Sequence, residues 1–165
     1  MDYVIDQMNP GDWEQVRSII LEGIATGHTT FETDAPSWEN WDKGHLKTAR
    51  LVARREDRVL GWAALSPVSK RECYRGVAEL SVSVKEESRG RGIGRALLEA
   101  LIDNSEKNEI WTLQAAIFPE NTASVKLHLR CGFREVGRRE RIGKLNGVWR
   151  DTLLFERRSK IVGTI

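Results

Sequence analysis

VAELSVSVKEESRGRGIGRALLEALI, residues Val77–Ile102, decides the fold of this chain. Its opening run, Val77 to Val84, is the strongest strand signal in the sequence,. Its closing run places Ala96, Leu97, Leu98, Leu101 and Ile102 on one face of an amphipathic helix,. Between them lies Arg89-Gly90-Arg91-Gly92-Ile93-Gly94. Glycines there let backbone N–H groups turn inward, and the helix N-terminus adds a positive dipole end. Arg89, Arg91 and Arg95 surround those donors. A strand, a glycine-rich turn and a helix in this order describe a pyrophosphate cradle.

Spacing narrows which cradle it is. A Walker A loop ends in Gly-Lys-Ser/Thr, and Gly94-Arg95-Ala96 does not,. A dinucleotide fingerprint starting at Gly90 needs Gly or Ala at position 95, and belongs in the first strand–helix turn of its domain. Neither condition holds, which argues against a nucleotide-dependent oxidoreductase.

Working outward, Tyr3 to Met8 suits a short strand, stopped by Asn9-Pro10-Gly11-Asp12 with Asp12 as an N-cap,. Trp13, Val16, Ile19, Ile20 and Ile24 predict a helix to about Ala25, and Thr26 to Ser37 reads as loop. A second helix is expected over Trp38 to Lys47, with Trp38, Trp41 and His45 on one face. Leu51 to Arg54 and Val59 to Leu65 flank a turn and form a hairpin,. The polar stretch Pro67 to Cys73 interrupts the sheet before Val77. Beyond the central helix, Thr112 to Phe118 is a strand and Asn121 to Arg130 a helix closed by Cys131-Gly132. Phe133 to Val136 and Trp149 to Phe155 are closing strands joined through Lys144 to Gly147. With no repeat or linker, residues 1–157 read as one domain and 158–165 as a tail. The economical architecture is an α/β mixed sheet with helices on both faces.

Composition bounds the function classes. The 165 residues suffice for one domain with a real core, and 40% hydrophobic and 30% charged residues are ordinary for a soluble protein,. A formal charge of +2 does not suggest a dedicated nucleic-acid binder,. The basic cluster Arg134 to Arg141 reads as a solvated strand and turn,. No apolar run reaches the ~20 residues of a membrane span, and Met1 to Asn9 has no basic n-region of a signal peptide,. Cys73 and Cys131 have no metal-ligand spacing and read as free thiols of a reducing, cytoplasmic compartment,. No metal is expected. The six tryptophans read by default as core or interface filling,.

The pattern that fits the loop is Arg/Gln-x-x-Gly-x-Gly/Ala, here Arg89, Gly92 and Gly94. It resembles the acetyl-CoA pyrophosphate loop of the GNAT superfamily of N-acetyltransferases. Asn121-x-x-Ser124 followed by Leu127-His128-Leu129-Arg130-Cys131-Gly132-Phe133 resembles the superfamily's second motif. The resemblance implies the GNAT fold, a central mostly antiparallel sheet flanked by helices. It also implies acetyl-CoA as co-substrate, held by Leu80, Ser81, Val82, Ser83 and Val84, by Arg89 to Arg95 with Gly90, Arg91, Gly92, Ile93 and Gly94 between, and by Asn121 and Ser124.

Two departures from the common pattern, His128 in place of Tyr and Glu79 in the coenzyme strand, resemble the phosphinothricin and methionine sulfoximine acetyltransferase branch. Thr29 to Thr33, Cys73 to Gly76 and Asn146-Gly147-x-Trp149-x-Asp151 also look like that branch. The resemblance implies direct transfer to the primary amine of a small amino-acid-like acceptor, and a homodimer.

An alkyl ammonium must lose a proton before it attacks a thioester. A lone Glu on a strand is more often an exposed charge, but within these motifs Glu79 is the candidate general base, through an ordered water. His128 is the candidate acid or relay. Which is acid and which base stays open. The backbone N–H groups of Val82 to Val84 could polarise the thioester carbonyl. Arg71, Tyr74 and Arg75 sit where the branch places acceptor-binding residues, and Phe31 could cover the acceptor. The arginine usual just before that loop is not evident in Ser66 to Arg71. A protein N-terminus, a lysine or an aminoglycoside is an alternative acceptor. A catalytically silent acyl-CoA-binding module is an alternative of a different class.

Overall fold

Asn9 to Asp12 ends one element and begins the next by a reciprocal cap. The Asn9 amide donates to Asp12 Oδ2 at 2.8 Å, and both Asp12 oxygens accept from Arg54, each at 2.8 Å. This fixes the entry of the first helix against the sheet. The computed structural model describes residues 2–165, so Met1, the start of the expected domain, lies outside the described residues. The elements are β1 (Val4–Gln7), α1 (Trp13–Thr26), α2 (Trp38–Gly44), β2 (Leu51–Arg55), β3 (Arg58–Pro67), β4 (Val77–Val84), α3 (Ile93–Lys107), β5 (Thr112–Ile117), α4 (Thr122–Arg130), β6 (Arg134–Leu145) and β7 (Val148–Arg158).

Among the described residues the strands form one sheet in the order β1-β2-β3-β4-β5-β7-β6. All neighbours are antiparallel except β4 and β5, which run parallel because α3 carries the chain across between them,. Strand periodicity sends alternate side chains to opposite faces. On β3, Ala63 and Leu65 join the core under α3 with Leu80, Leu97, Leu98, Leu101, Leu113 and Phe155. Trp62 and Ala64 join the smaller core under α1 and α2 with Trp13, Val16, Ile19 and Trp41. Helices therefore cover both faces, as expected. Among the described residues no helix is long and apolar enough to cross a membrane.

Three expected boundaries move. The second helix stops at Gly44 rather than Lys47, because Arg50 folds back and donates to the carbonyls of Asp42, His45 and Leu46. The short strand expected at Phe133 to Val136 is the start of β6, which includes the whole basic cluster. It is a sheet edge with bulges at Glu135/Gly137 and Arg139/Gly143, so its outward side chains carry no apolar alternation to read. The turn expected at 144–147 is there, with Asn146 and Gly147 both at positive φ,. Finally, β7 runs through the expected 157/158 boundary, and the Ser159 amide donates to the Trp111 carbonyl at 2.7 Å.

Candidate active site

The parallel pairing of β4 and β5 covers only Val77–Thr112, Ala78–Leu113 and Glu79–Gln114. Both strands continue beyond it, to Val84 and Ile117. The divergence leaves a slot across which the two strand edges no longer pair with each other. Leu80, Ser81, Val82 and Ser83 line it from β4, and Ala115, Ala116 and Ile117 from β5. The slot opens into a cavity of about 550 Å³. Its floor is β4, its cover is the loop from Thr29 to Pro36, and α4 closes one side with Asn121, Ser124 and His128. Trp41, His45 and Trp62 form an aromatic wall, in which the Trp41 and His45 rings stack at 4.1 Å.

Glu79 enters this cavity at the point where pairing ends, because odd positions of β4 face the α1 side,. Its Oε1 accepts from Gln114 Nε2 at 3.2 Å, which leaves the other oxygen free to work.

His128 is 2% exposed and lines the same cavity. Its Nδ1 lies 2.7 Å from the Ser124 carbonyl, one helical turn back. A carbonyl can only accept, so Nδ1 carries the proton. Nε2 is then a lone pair, buried and without a partner among the described residues. Burial holds the imidazole below its ordinary pKa of 6.5, against the opposing pull of the Ser124 carbonyl. His128 is therefore a neutral proton acceptor at pH 7, and it donates from Nε2 only after receiving a proton there.

The loop between β4 and α3 fits a diphosphate. Gly90 and Gly92 adopt φ of 75° and 82°, which a side chain disfavours. Gly92 is the N-cap of α3 with no side-chain cap, so the first-turn N–H groups stay open to a ligand. The arginines are less uniform than expected. Arg89 donates to the Val84 carbonyl at 3.2 Å, whereas Arg95 is drawn along α3 to Glu99 at 2.8 Å and its charge is shared there.

Other expected residues hold their neighbours. Asn121 Oδ1 accepts from the Ser124 amide at 3.2 Å and caps α4. Phe31 lines the cavity and meets Phe118 edge-on at 4.9 Å. Arg71, Tyr74 and Arg75 do not line the cavity. Arg71 lies over the Tyr74 ring at 5.4 Å. Arg75 pairs with Glu72 at 3.0 Å and covers Trp111 at 5.6 Å. The ionic lining is Glu32 and Glu79, with no arginine or lysine. Sequence reading missed Trp41, His45 and Trp62, since aromatic residues at helical or strand spacing read as core. It missed Gln114 because only strand register brings it to Glu79. Among the described residues no group of three or more His, Cys, Asp and Glu side chains could hold a metal.

Comparison with known proteins agrees with this geometry. Residues 13–133 match the acetyltransferase (GNAT) family. An L-methionine sulfoximine/L-methionine sulfone acetyltransferase of Pseudomonas paraeruginosa is 39% identical over 59% of this chain, a match spanning only 57% of that relative. A phosphinothricin N-acetyltransferase of Alcaligenes faecalis is 32% identical over 88% of this chain and 77% of its own. The crystal structure of a GNAT superfamily phosphinothricin acetyltransferase from Sinorhizobium meliloti, in complex with AcCoA, superposes with a TM-score of 0.85 at 26% identity, covering 100% of this chain and 96% of that one. The chain belongs to the acetyltransferase (GNAT) family, in its phosphinothricin and methionine sulfoximine acetyltransferase branch.

Proposed function

We propose that this chain is an acetyl-CoA-dependent N-acetyltransferase acting on the primary amine of a small amino-acid-like acceptor. The observation that carries it is the slot between β4 and β5, with Glu79 and His128 lining the cavity it enters and the buried Nε2 of His128 left without a partner among the described residues. The residues fit the co-substrate: the α3 N-terminus and its two left-handed glycines suit a pyrophosphate, and the slot suits a pantetheine arm. Bound acetyl-CoA supplies the acyl group as a thioester. The relatives' names support the acceptor class.

We assign the two side chains roles that keep the protons in balance. The acceptor ammonium gives up one proton to become a nucleophile and a second as the amide forms, while the departing thiolate takes one back. The cavity's carboxylates, Glu79 and Glu32, attract the ammonium, and Glu79 takes the first proton, directly or through water. His128 Nε2 takes the second and returns it to sulfur, so it enters the cycle as a base and leaves as an acid. Slot-facing N–H groups of Val82 to Val84 would meet developing negative charge on the carbonyl oxygen. Arg71 and Arg75, which do not line the cavity, remain the groups we propose for an acceptor carboxylate,.

Free-thiol release from acetyl-CoA tests this. Expected is turnover with methionine sulfone, methionine sulfoximine, phosphinothricin or a common amino acid, and none with peptide amines or aminoglycosides. Acetylation of peptides but not of free amino acids would overturn the acceptor class. Tight coenzyme binding with no turnover on any amine would overturn the activity.

Two coarser readings accompany it. Cys73 and Cys131 are free thiols, which supports a reducing, cytoplasmic setting. The β6–β7 hairpin ends the sheet and leaves Val136, Ile142, Val148 and Trp149 exposed. An unpaired edge with apolar side chains supports docking of a second copy. Light scattering of the purified chain should give the mass of a dimer, and a monomer mass at working concentration would remove this reading.

A further inference from the structure

Arg150 sits on β7, at an unspecified position of Asn146-Gly147-x-Trp149-x-Asp151, with its side chain 13% exposed. A guanidinium this buried needs partners, and it draws them from separate parts of the chain. Nη1 donates to the Gly27 carbonyl at 2.8 Å. Nη2 lies 3.3 Å from His28 Nδ1 and 3.3 Å from Glu120 Oε2. The plane covers the Phe118 ring at 4.2 Å.

Each partner leads to the cavity. Gly27 is the left-handed C-cap where α1 gives way to the covering loop, and Thr29 to Glu32 of that loop line the cavity. Glu120 directly precedes Asn121, the cap of α4. Its carboxyl is held below the usual range, first by its own backbone amide and then by Arg150. Phe118 meets Phe31 edge-on. On its other side Phe31 rests on β6 backbone: a Cβ added at Gly143 would come within 2.9 Å of the ring. One side chain thus ties β7, the end of α1 and the β5–α4 connection around two phenyl rings of the cavity wall. None of these contacts involves the β4–α3 loop.

We propose that Arg150 is a positioning residue for the acceptor site, which holds the loop Gly27–Glu32 closed over the cavity and so sets acceptor affinity independently of coenzyme affinity. This rests on the acyl-transfer reading of the cavity. The fork geometry matters as well as the charge, since a lysine ammonium can replace one of these bonds but cannot span the set or cover Phe118 as a plane.

The test compares wild type, Arg150→Ala, Arg150→Lys and Phe31→Ala as full chains. KM and kcat are measured with methionine sulfone, the acetyl-CoA Kd by calorimetry, and amide hydrogen exchange over residues 27–32. Arg150→Ala should raise acceptor KM about tenfold, with a smaller loss of kcat and an acetyl-CoA Kd within about twofold of wild type. Arg150→Lys should fall between, which guards against a variant that fails to fold. Exchange over residues 27–32 should quicken in Arg150→Ala. Adding Arg150→Ala to Phe31→Ala should cost less than it does alone, because both act through one loop. An acceptor KM unchanged, an acetyl-CoA Kd raised as much as KM, or fully additive effects would overturn the proposal. If wild type turns over no amine, the acyl-transfer reading falls by itself. The acceptor-affinity part of this proposal falls with it, and hydrogen exchange decides the loop-holding part: faster exchange confined to residues 27–32 upholds that part, and unchanged exchange overturns it.

Discussion

Glu79→Gln should lower kcat by about 10²–10⁴-fold, the usual range for a positioned general base, with little change in acetyl-CoA affinity. The substitution is nearly isosteric. The new amide oxygen can still accept the bond from Gln114 Nε2 that now runs to Glu79 Oε1 at 3.2 Å, so the strand ends stay where they are. What changes is the charge facing the acceptor amine and its capacity to take a proton. Part of the loss should therefore appear in acceptor KM, through the lost attraction between carboxylate and ammonium, and most in kcat. Glu32 lines the same cavity, so Glu32→Gln is the natural control. It should shift acceptor KM and leave kcat within a small factor. A Glu79→Gln enzyme with near wild-type kcat would remove the carboxylate from the chemistry and leave it a role in acceptor attraction only.

How much of this was legible in the sequence follows from which contacts are local. The strand, loop and helix of Val77–Lys107 were readable because each signal lies within its own segment: alternation on β4, glycines at the turn, apolar spacing on α3. The strand bounds at Val77 and Val84 were met without adjustment. What the sequence could not show is where the segments face one another. Gln114 reaches Glu79 only through the parallel register, and Arg150 reaches Gly27 across 123 positions. For Arg71, Tyr74 and Arg75 the place before β4 suggests acceptor binding, but it does not show that Arg71 lies over Tyr74 and Arg75 over Trp111, away from the cavity lining. The β6 edge was under-read for a different reason. An exposed edge strand needs no apolar face, and hydrophobic periodicity is the signal that finds strands.

His128 illustrates how burial converts a residue type into a protonation state, and it carries the second large effect. His128→Gln should lower kcat by about 10²–10³-fold at pH 7–8, since the amide cannot accept a proton as an imidazole nitrogen does. Gln rather than Ala is the informative choice. The ring is 2% exposed and packs edge-on to Phe133 at 5.1 Å. Truncation to Ala would open a cavity costing about 2–4 kcal/mol and confuse stability with chemistry. The pH dependence separates His128 from a merely structural residue. Because burial lowers its pKa, the wild-type rate should hold as pH falls through 6.5 and fail only below it, where Nε2 is protonated before substrate arrives. That limb should be missing from the residual activity of His128→Gln. Stability carries the same sign. The unfolded chain takes up a proton on this histidine near pH 6.5 while the folded site still refuses it, so acidification through the window below 6.5 favours unfolding. His45, whose pKa burial also lowers, adds to the loss. Thermal midpoints between pH 7 and pH 5 should therefore fall less steeply in His128→Gln than in wild type, yet still fall. An equal slope in both proteins would mean that the buried ring titrates as an ordinary imidazole, and the assignment of Nε2 as the resting proton acceptor would go with it.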